Sequence, residues 1–357
     1  MTEVPLFASS LEPYQDRLAE RFAAVAASGR YILGPEVEAF EEEYARYLGV
    51  RHCIGVANGT DALVISLRAL GIGPGDEVVV PSFTFYASVE AVAVIGATPV
   101  YCDVDPETFC VTAETVRAAL TPATKAIVAV HLFGNVAPVP ELRELGVPVL
   151  EDAAQAAGAT LGGEHAGGLG DVATFSFFPS KNLPCLGDGG AVTTNDDELA
   201  ERVRLLRFHG STDKQTFVEV GYNSRLDEMQ AAALRVLLPE LEGWNEARRG
   251  VAEAYEREGL GEHVRLPRSV DGARHVYHLY VVRHERADEL QAALAGRGVR
   301  SRSYYRVPVH MQPAVAAEAD LPGTAEAART HLALPMGPLL SDDQVHAVVE
   351  ACASGST

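Results

Sequence analysis

Lysine is nearly missing from this chain. Its 357 residues hold three lysines against twenty-six arginines, so almost every cation is a guanidinium, which cannot be deprotonated and makes no Schiff base. The five cysteines, Cys53, Cys102, Cys110, Cys185 and Cys352, are odd in number, irregularly spaced and without a CxxC pair. That pattern reads as cytosolic thiols, not as a disulfide frame or a zinc site. Positive charge is also scarce. A net charge of −20 and a pI near 4.9 argue against a nucleic-acid backbone or an anionic membrane as partner. No apolar run approaches the ~18 residues of a spanning helix, and the start, MTEVPLFASSLEPYQ, lacks the basic-then-apolar order of a secretion signal. These absences predict a soluble, cytoplasmic protein without a metal that works on small molecules.

What is present is a rhythm. Short β-branched runs, HCIGVA, DEVVVP, TPVYCDV, KAIVAVH, VPVLED, VATFSF and GGAVTT, follow two helical stretches at 14–27 and 35–48. They predict an α/β fold built on a mostly parallel seven-stranded sheet covered on both faces. In such sheets ligands gather at the carboxyl ends of the strands. After Trp244 the pattern changes to a long helix, a strand HVYHLYVVR, a helix ADELQAALAGRGV, a strand-like YYRVPVH and a closing helix. This order predicts a large domain, 1–244, with an N-terminal arm, and a smaller α+β domain, 245–357. The run GIGPG at 71–75 precedes a strand instead of following one, so it reads as a turn and not as a dinucleotide fingerprint.

Lys181 stands apart from Lys125, which opens a strand, and from Lys214, in a polar loop. It follows an apolar strand and precedes a glycine-dense turn, in DVATFSFFPSKNLPCLGDGGAVTTN. Asp152 ends the preceding strand. It is either a cap for a helix AAQAAGA or the anionic partner of a heteroaromatic nitrogen, a role that pyridoxal phosphate enzymes require. Asn58-Gly59-Thr60 opens a helix after the first strand and is either a plain cap or a phosphate site made of free N–H groups. Ser176, five residues before Lys181, is a satisfied strand hydroxyl or a ligand contact. Phe85 or Tyr86, after the second strand, is a core residue or a ring to stack on a flat cofactor. In order along the chain, these positions follow the layout of fold-type I pyridoxal phosphate enzymes such as aspartate aminotransferase.

Across residues 31–348 the chain closely resembles the sugar aminotransferases of the DegT/DnrJ/EryC1/StrS family. The resemblance is carried by YILGPEVEAFEEEYA, VANGTDALVISLRALGIGPGDEVVVPSFTF, EDAAQAAGA, FSFFPSKNLPCLGDGGAV, GYNSRLDEMQAA and VPVH. It implies that Lys181 joins pyridoxal 5′-phosphate as a Schiff base and later carries a proton, and that Asp152 pairs with the ring nitrogen. It also implies that Gln155 lies near the ring oxygen, Phe85 stacks on the ring, and Gly59, Thr60 and Ser176 hold the phosphate. Asn223 resembles the residue that reaches the phosphate of the neighbouring subunit, which implies a homodimer with shared sites. Arg225, Tyr304 and His310, with the loop 304–306, are candidates for binding the donor L-glutamate or a nucleotide-linked ketosugar. Gln155 and the GDGG turn at 187–190 resemble members that aminate dTDP-linked 3-keto-6-deoxyhexoses for deoxysugar and antibiotic biosynthesis; amination at C4 is the alternative. A regulator without catalysis is the remaining reading, and Lys181 argues against it. The chain departs from those members at Phe178 and at Tyr304-Tyr305-Arg306.

Overall fold

A computed structural model of the protein describes residues 3–355. Helices α1 (Gln15–Ser28) and α2 (Pro35–Leu48) precede β1 (His52–Val56) and α3 (Gly59–Ala69). Then come β2 (Glu77–Pro81), α4 (Ala87–Val94), β3 (Thr98–Cys102), α5 (Ala113–Ala119), β4 (Thr124–Val130), α6 (Val139–Arg143) and β5 (Val149–Asp152). A small hairpin, β6 (Thr160–Leu161) and β7 (Glu164–His165), leads to β8 (Val172–Ser176), β9 (Gly190–Thr194), α7 (Asp197–Arg207) and α8 (Glu228–Leu237). The chain closes with α9 (Leu241–Arg257), β10 (Ala273–Arg274), β11 (Tyr280–Arg283), α10 (Ala287–Gly296), α11 (Pro322–Thr330), β12 (His331–Leu334) and α12 (Asp342–Gly355).

The seven expected strands form one sheet in the order β1-β9-β8-β5-β4-β2-β3. All are parallel except β9, which runs against both its neighbours. Consecutive residues Val78, Val79 and Val80, and likewise Ala126 to Ala129, are 0% exposed. Side chains alternate between faces, so both faces are covered, as a β-branched parallel sheet requires. Because the parallel strands share a direction, Val56, Pro81, Asp152 and Ser176 finish at one edge. Gly190, where the reversed β9 begins, pairs with Val56 and Ser176 at that same edge.

Helix α2 shows how the N-terminal part is fastened. Pro35 suits its first turn and Gly49, at φ 74°, ends it in the left-handed region. The orphan N–H groups of Gly34, Glu36 and Val37 donate to the buried carboxylate of Glu228, on α8, at 2.8, 3.0 and 2.9 Å. An anion at a helix start is favoured by both the free donors and the dipole.

A second core joins Tyr255, Tyr280, Leu332, Leu334 and Val348 with Val4 and Ala8 of the N-terminal segment. Val4 and Phe7 bridge to Val299 and Met336, which ties the chain's beginning to its C-terminal part. Position 244/245 lies inside the unbroken helix α9. Three local expectations are corrected. Of HVYHLYVVR only Tyr280–Arg283 is strand, and its partner is β12, a strand not anticipated. The run YYRVPVH forms no strand, because the Tyr305 N–H donates to His331 Nε2 at 3.2 Å and Pro308 has no donor for a ladder. Finally, residues 153–158 form turns instead of a helix. There Gly158 takes φ +86°, outside the right-handed helical region, and lies so close to α9 that an added Cβ would meet Asn245 Nδ2 at 2.4 Å. Among the described residues no helix is long and apolar enough to cross a membrane.

Candidate functional site

The loop between β8 and β9 leaves and re-enters the sheet at the ligand edge. Phe177 N donates to Gly189 O at 2.8 Å to close it, and Cys185 N returns to Phe177 O at 2.7 Å. Lys181 sits within this loop, its N–H bonded to Phe178 O at 2.8 Å. Desolvation lowers the pKa of its amine to about 8, although nearby Asp152 pulls it upward. About a tenth of the amine is therefore neutral at pH 7, against a few parts in ten thousand for an ordinary lysine.

Behind the lysine lies a buried polar chain. The Asn182 amide donates to Asn245 Oδ1 at 2.8 Å and to Val276 O at 3.0 Å, and its oxygen is 3.2 Å from His278 Nδ1. Asn245 in turn donates to Ala157 O at 2.9 Å. Burial, reinforced by Lys181 and Arg248, holds the pKa of His278 well below its ordinary value, so the imidazole is neutral and donates through Nδ1. These groups fix the residue next to Lys181 without adding a second cation.

Asp152 is buried at the end of β5. Its Oδ2 accepts from Ser88 Oγ at 2.8 Å and its Oδ1 from Ala154 N at 3.2 Å. With no helix following, it does not serve as a helix cap. Gln155, three residues on, has a fixed amide orientation: Oε1 accepts from Phe133 N at 2.7 Å, so Nε2 faces the Tyr305 hydroxyl at 3.2 Å. The Tyr305 ring stacks on Phe133 at 5.8 Å and meets the edge of Phe83 at 5.6 Å. Burial raises its pKa, which keeps the phenol protonated.

At the start of α3, Asn58 Oδ1 caps the N–H of Asp61 at 2.8 Å, leaving the Gly59 and Thr60 N–H groups at the open end. A Cβ on Gly59 would lie 2.7 Å from Ser176 Cβ, and one on Gly190 would lie 2.5 Å from the Asn58 carbonyl. Only glycines allow the starts of α3 and β9 and the end of β8 to meet so closely. Asn58 is thus a cap, and the same turn leaves free donors beside the Ser176 hydroxyl.

The remaining predicted residues divide. Phe85 is 60% exposed at the ligand edge, while Phe83, two residues earlier, is in the core. Asn223 and Arg225 line a cavity of about 400 Å³ with Ala57, Asp188 and Gln230. Tyr304 lies under Arg302, whose guanidinium carbon is 4.8 Å from the ring centre. His310 Nδ1 is 2.5 Å from Ser82 Oγ and lines a cavity of about 450 Å³ with Arg306 and Arg329. Sequence reasoning missed Ser82, whose hydroxyl faces His310, Ser88, whose hydroxyl faces Asp152, and Thr84, whose hydroxyl faces Ser88. The run of hydroxyls Ser82, Thr84 and Ser88 around the start of α4 was the available signal.

The residues present fit pyridoxal phosphate: a desolvated lysine, a buried carboxylate and a glycine-tight cradle of free N–H groups share one edge. The chain is 47% identical over 340 residues to a pleiotropic regulatory protein of Geobacillus stearothermophilus, covering 92% of this chain and 91% of that one. It is likewise 47% identical over 350 residues to the dTDP-3-amino-3,4,6-trideoxy-alpha-D-glucose transaminase of Streptomyces venezuelae, covering 95% and 92%. The X-ray crystal structure of S. venezuelae DesV superposes with a TM-score of 0.96 at 44% identity, over 100% of both chains. The DegT/DnrJ/EryC1/StrS aminotransferase profile matches residues 14–353, and the chain belongs to that family of pyridoxal phosphate-dependent aminotransferases.

Proposed function

We propose that the protein is a cytoplasmic homodimer that moves the amino group of L-glutamate to C3 of a dTDP-linked 3-keto-6-deoxyhexose. The observation that carries this reading is the pairing of Lys181, with its amine at about pKa 8, with the buried Asp152. When bound, pyridoxal phosphate supplies a ring that takes up the electrons left when a proton departs from the amine-bearing carbon. Lys181 holds the cofactor and, once displaced, moves that proton as a neutral base. Asp152 keeps an anion opposite the ring nitrogen. The spare N–H of Gln155 Nε2 serves the ring oxygen, Phe85 covers the ring face, and Gly59, Thr60 and Ser176 donate to the phosphate. The choice of C3 is supported by Gln155 and the GDGG turn, and by the name of the S. venezuelae relative, a 3-amino-sugar transaminase.

A half-reaction tests the substrate. Glutamate is used to convert the bound cofactor to its amino form, and dTDP-linked 3-keto and 4-keto sugars are then offered in turn. The 3-keto sugar is expected to restore the starting visible spectrum. Restoration by a 4-keto sugar alone would replace C3 with C4.

Shared sites are supported by exposed apolar side chains at Tyr31, Phe85, Phe178, Leu186 and Phe217, which a partner subunit would cover. They are supported too by the cavity that Asn223 and Arg225 line with Asp188, at the open end of the lysine loop, where a partner's ligand could be reached. Lys181→Ala and Asn223→Ala chains, each impaired alone, are expected to regain about a quarter of wild-type activity when refolded together, because one site of each mixed dimer is then intact. No recovery in a mixture that demonstrably exchanges subunits would place Asn223 outside the partner's site.

A further inference from the structure

The segment entering α4, Ser82-Phe83-Thr84-Phe85-Tyr86-Ala87-Ser88, touches more of the site than its position after β2 suggests. Thr84 and Ser88 are 2% and 1% exposed. Ser88 Oγ donates to Asp152 Oδ2 at 2.8 Å, and Thr84 Oγ1 lies 3.1 Å from Ser88 Oγ. A hydroxyl has a single hydrogen, and an ionised carboxylate only accepts. Ser88 therefore gives its hydrogen to Asp152, and the bond between the two hydroxyls must be donated by Thr84. The direction Thr84 to Ser88 to Asp152 is fixed. The other carboxylate oxygen has only the longer bond from Ala154 N, at 3.2 Å, which comes from the carboxylate's own turn and cannot tie it to another element.

We propose that Ser88, oriented by Thr84, is a positioning residue that fixes the Asp152 carboxylate against the ring nitrogen of the cofactor. It rests on the reading of Asp152 in the proposed function. Phe85 lies between the two hydroxyls in sequence and turns outward at 60% exposure. The same clamp therefore sets the spacing between the stacking ring and the acid. Ser88 is 1% exposed and its hydroxyl is spent on Asp152, so its loss is expected to act on the chemical step and on the cofactor, and not on substrate binding.

Ser88→Ala, Ser88→Cys, Ser88→Thr, Asp152→Ala and the double variant Ser88→Ala/Asp152→Ala form the test. Two readouts are used: steady-state kinetics, and the affinity of the apoprotein for pyridoxal phosphate by equilibrium dialysis. Ser88→Ala is expected to lower kcat roughly 10- to 100-fold and to weaken cofactor affinity about tenfold, with KM for both substrates within about threefold of wild type. Ser88→Cys keeps the volume with a weak donor and is expected to match Ser88→Ala, which covers the case of an alanine variant that does not fold. Ser88→Thr is expected to recover most of both losses. In the Asp152→Ala background, Ser88→Ala is expected to add less than about twofold, because a residue acting through another has nothing left to act on. Unchanged kcat and affinity in Ser88→Ala and Ser88→Cys would overturn the inference, as would full-size losses in the double variant. If Asp152→Ala itself changes neither readout, the ring-nitrogen reading falls and this inference falls with it.

Discussion

Lys181→Ala lowers transamination by about 10⁴-fold or more and abolishes covalent capture of the cofactor. Borohydride followed by mass spectrometry is expected to find a fixed pyridoxyl group on Lys181 of the wild-type chain and none on the variant. The other two lysines provide an internal control. Lys125 is exposed at the start of β4, at the opposite edge of the sheet, and Lys214 lies in a loop with its amine 5.0 Å from the Phe208 ring. Lys125, on the far edge, cannot reach the cradle at Gly59. The depressed pKa adds a pH dependence. Moving the amine from 10.5 to about 8 raises its neutral fraction at pH 7 roughly 300-fold. Only the neutral amine attacks an aldehyde, so the rate at which apoprotein takes up pyridoxal phosphate is expected to climb with pH and level off above about 8. A rate still rising steeply at pH 10 would mean that the site does not desolvate the amine as described.

Asp152→Asn is the second large effect, a loss of about 10³-fold in kcat. The amide keeps the shape of the side chain but has no charge with which to hold a proton on a ring nitrogen. The variant also changes what Ser88 faces. Its hydroxyl, 2.8 Å from Oδ2, can still donate to an amide oxygen, which would turn the amide nitrogen toward the ring. An amide N–H would be satisfied by an unprotonated ring nitrogen, so the variant would favour the form of the ring that takes up electrons poorly. Measurement of kcat together with cofactor affinity separates this effect from simple unfolding, since the buried neighbours Thr84 and Ser88 keep a partner. A variant with wild-type kcat would remove Asp152 from the chemistry.

The features that could be read from the sequence are those that sit next to strand ends. Seven β-branched runs stood out because their strands are buried on both faces, and each run then pointed to the residue following it. In this way the sequence points to Asp152, Gly59 and Phe85 as candidates, and Lys181 is conspicuous because lysine is rare here. Contacts between distant positions left no local trace. Gln155 meets Tyr305, 150 residues away, and Asn182 meets Asn245 and His278. Nothing in the runs EDAAQ or SKNLP announces either partner. Propensity misled at 153–158, where alanines suggest a helix but the packing of Gly158 against Asn245 and Tyr47 imposes turns. It misled again at YYRVPVH, whose aromatic and β-branched residues resemble a strand while Tyr305 is engaged with Gln155 and His331. Ser88 was passed over because one buried hydroxyl in a short helix looks like any other.

The reversed direction of β9 has a consequence for how this scaffold can vary. Had β9 followed the direction of its neighbours, the chain after Ser176 would have had to cross to the far side of the sheet before returning, as parallel connections do. Instead the lysine segment is an excursion whose two feet, Phe177 and Gly189, are hydrogen-bonded to each other at 2.8 Å. Insertions or replacements at Leu186–Asp188, beyond the Cys185 anchor on Phe177, therefore leave the strand register, the cradle at Asn58 and the root of Lys181 where they are. Evolution or an engineer can remodel the wall of the pocket there, changing which molecule is accepted while the reacting amine keeps its place.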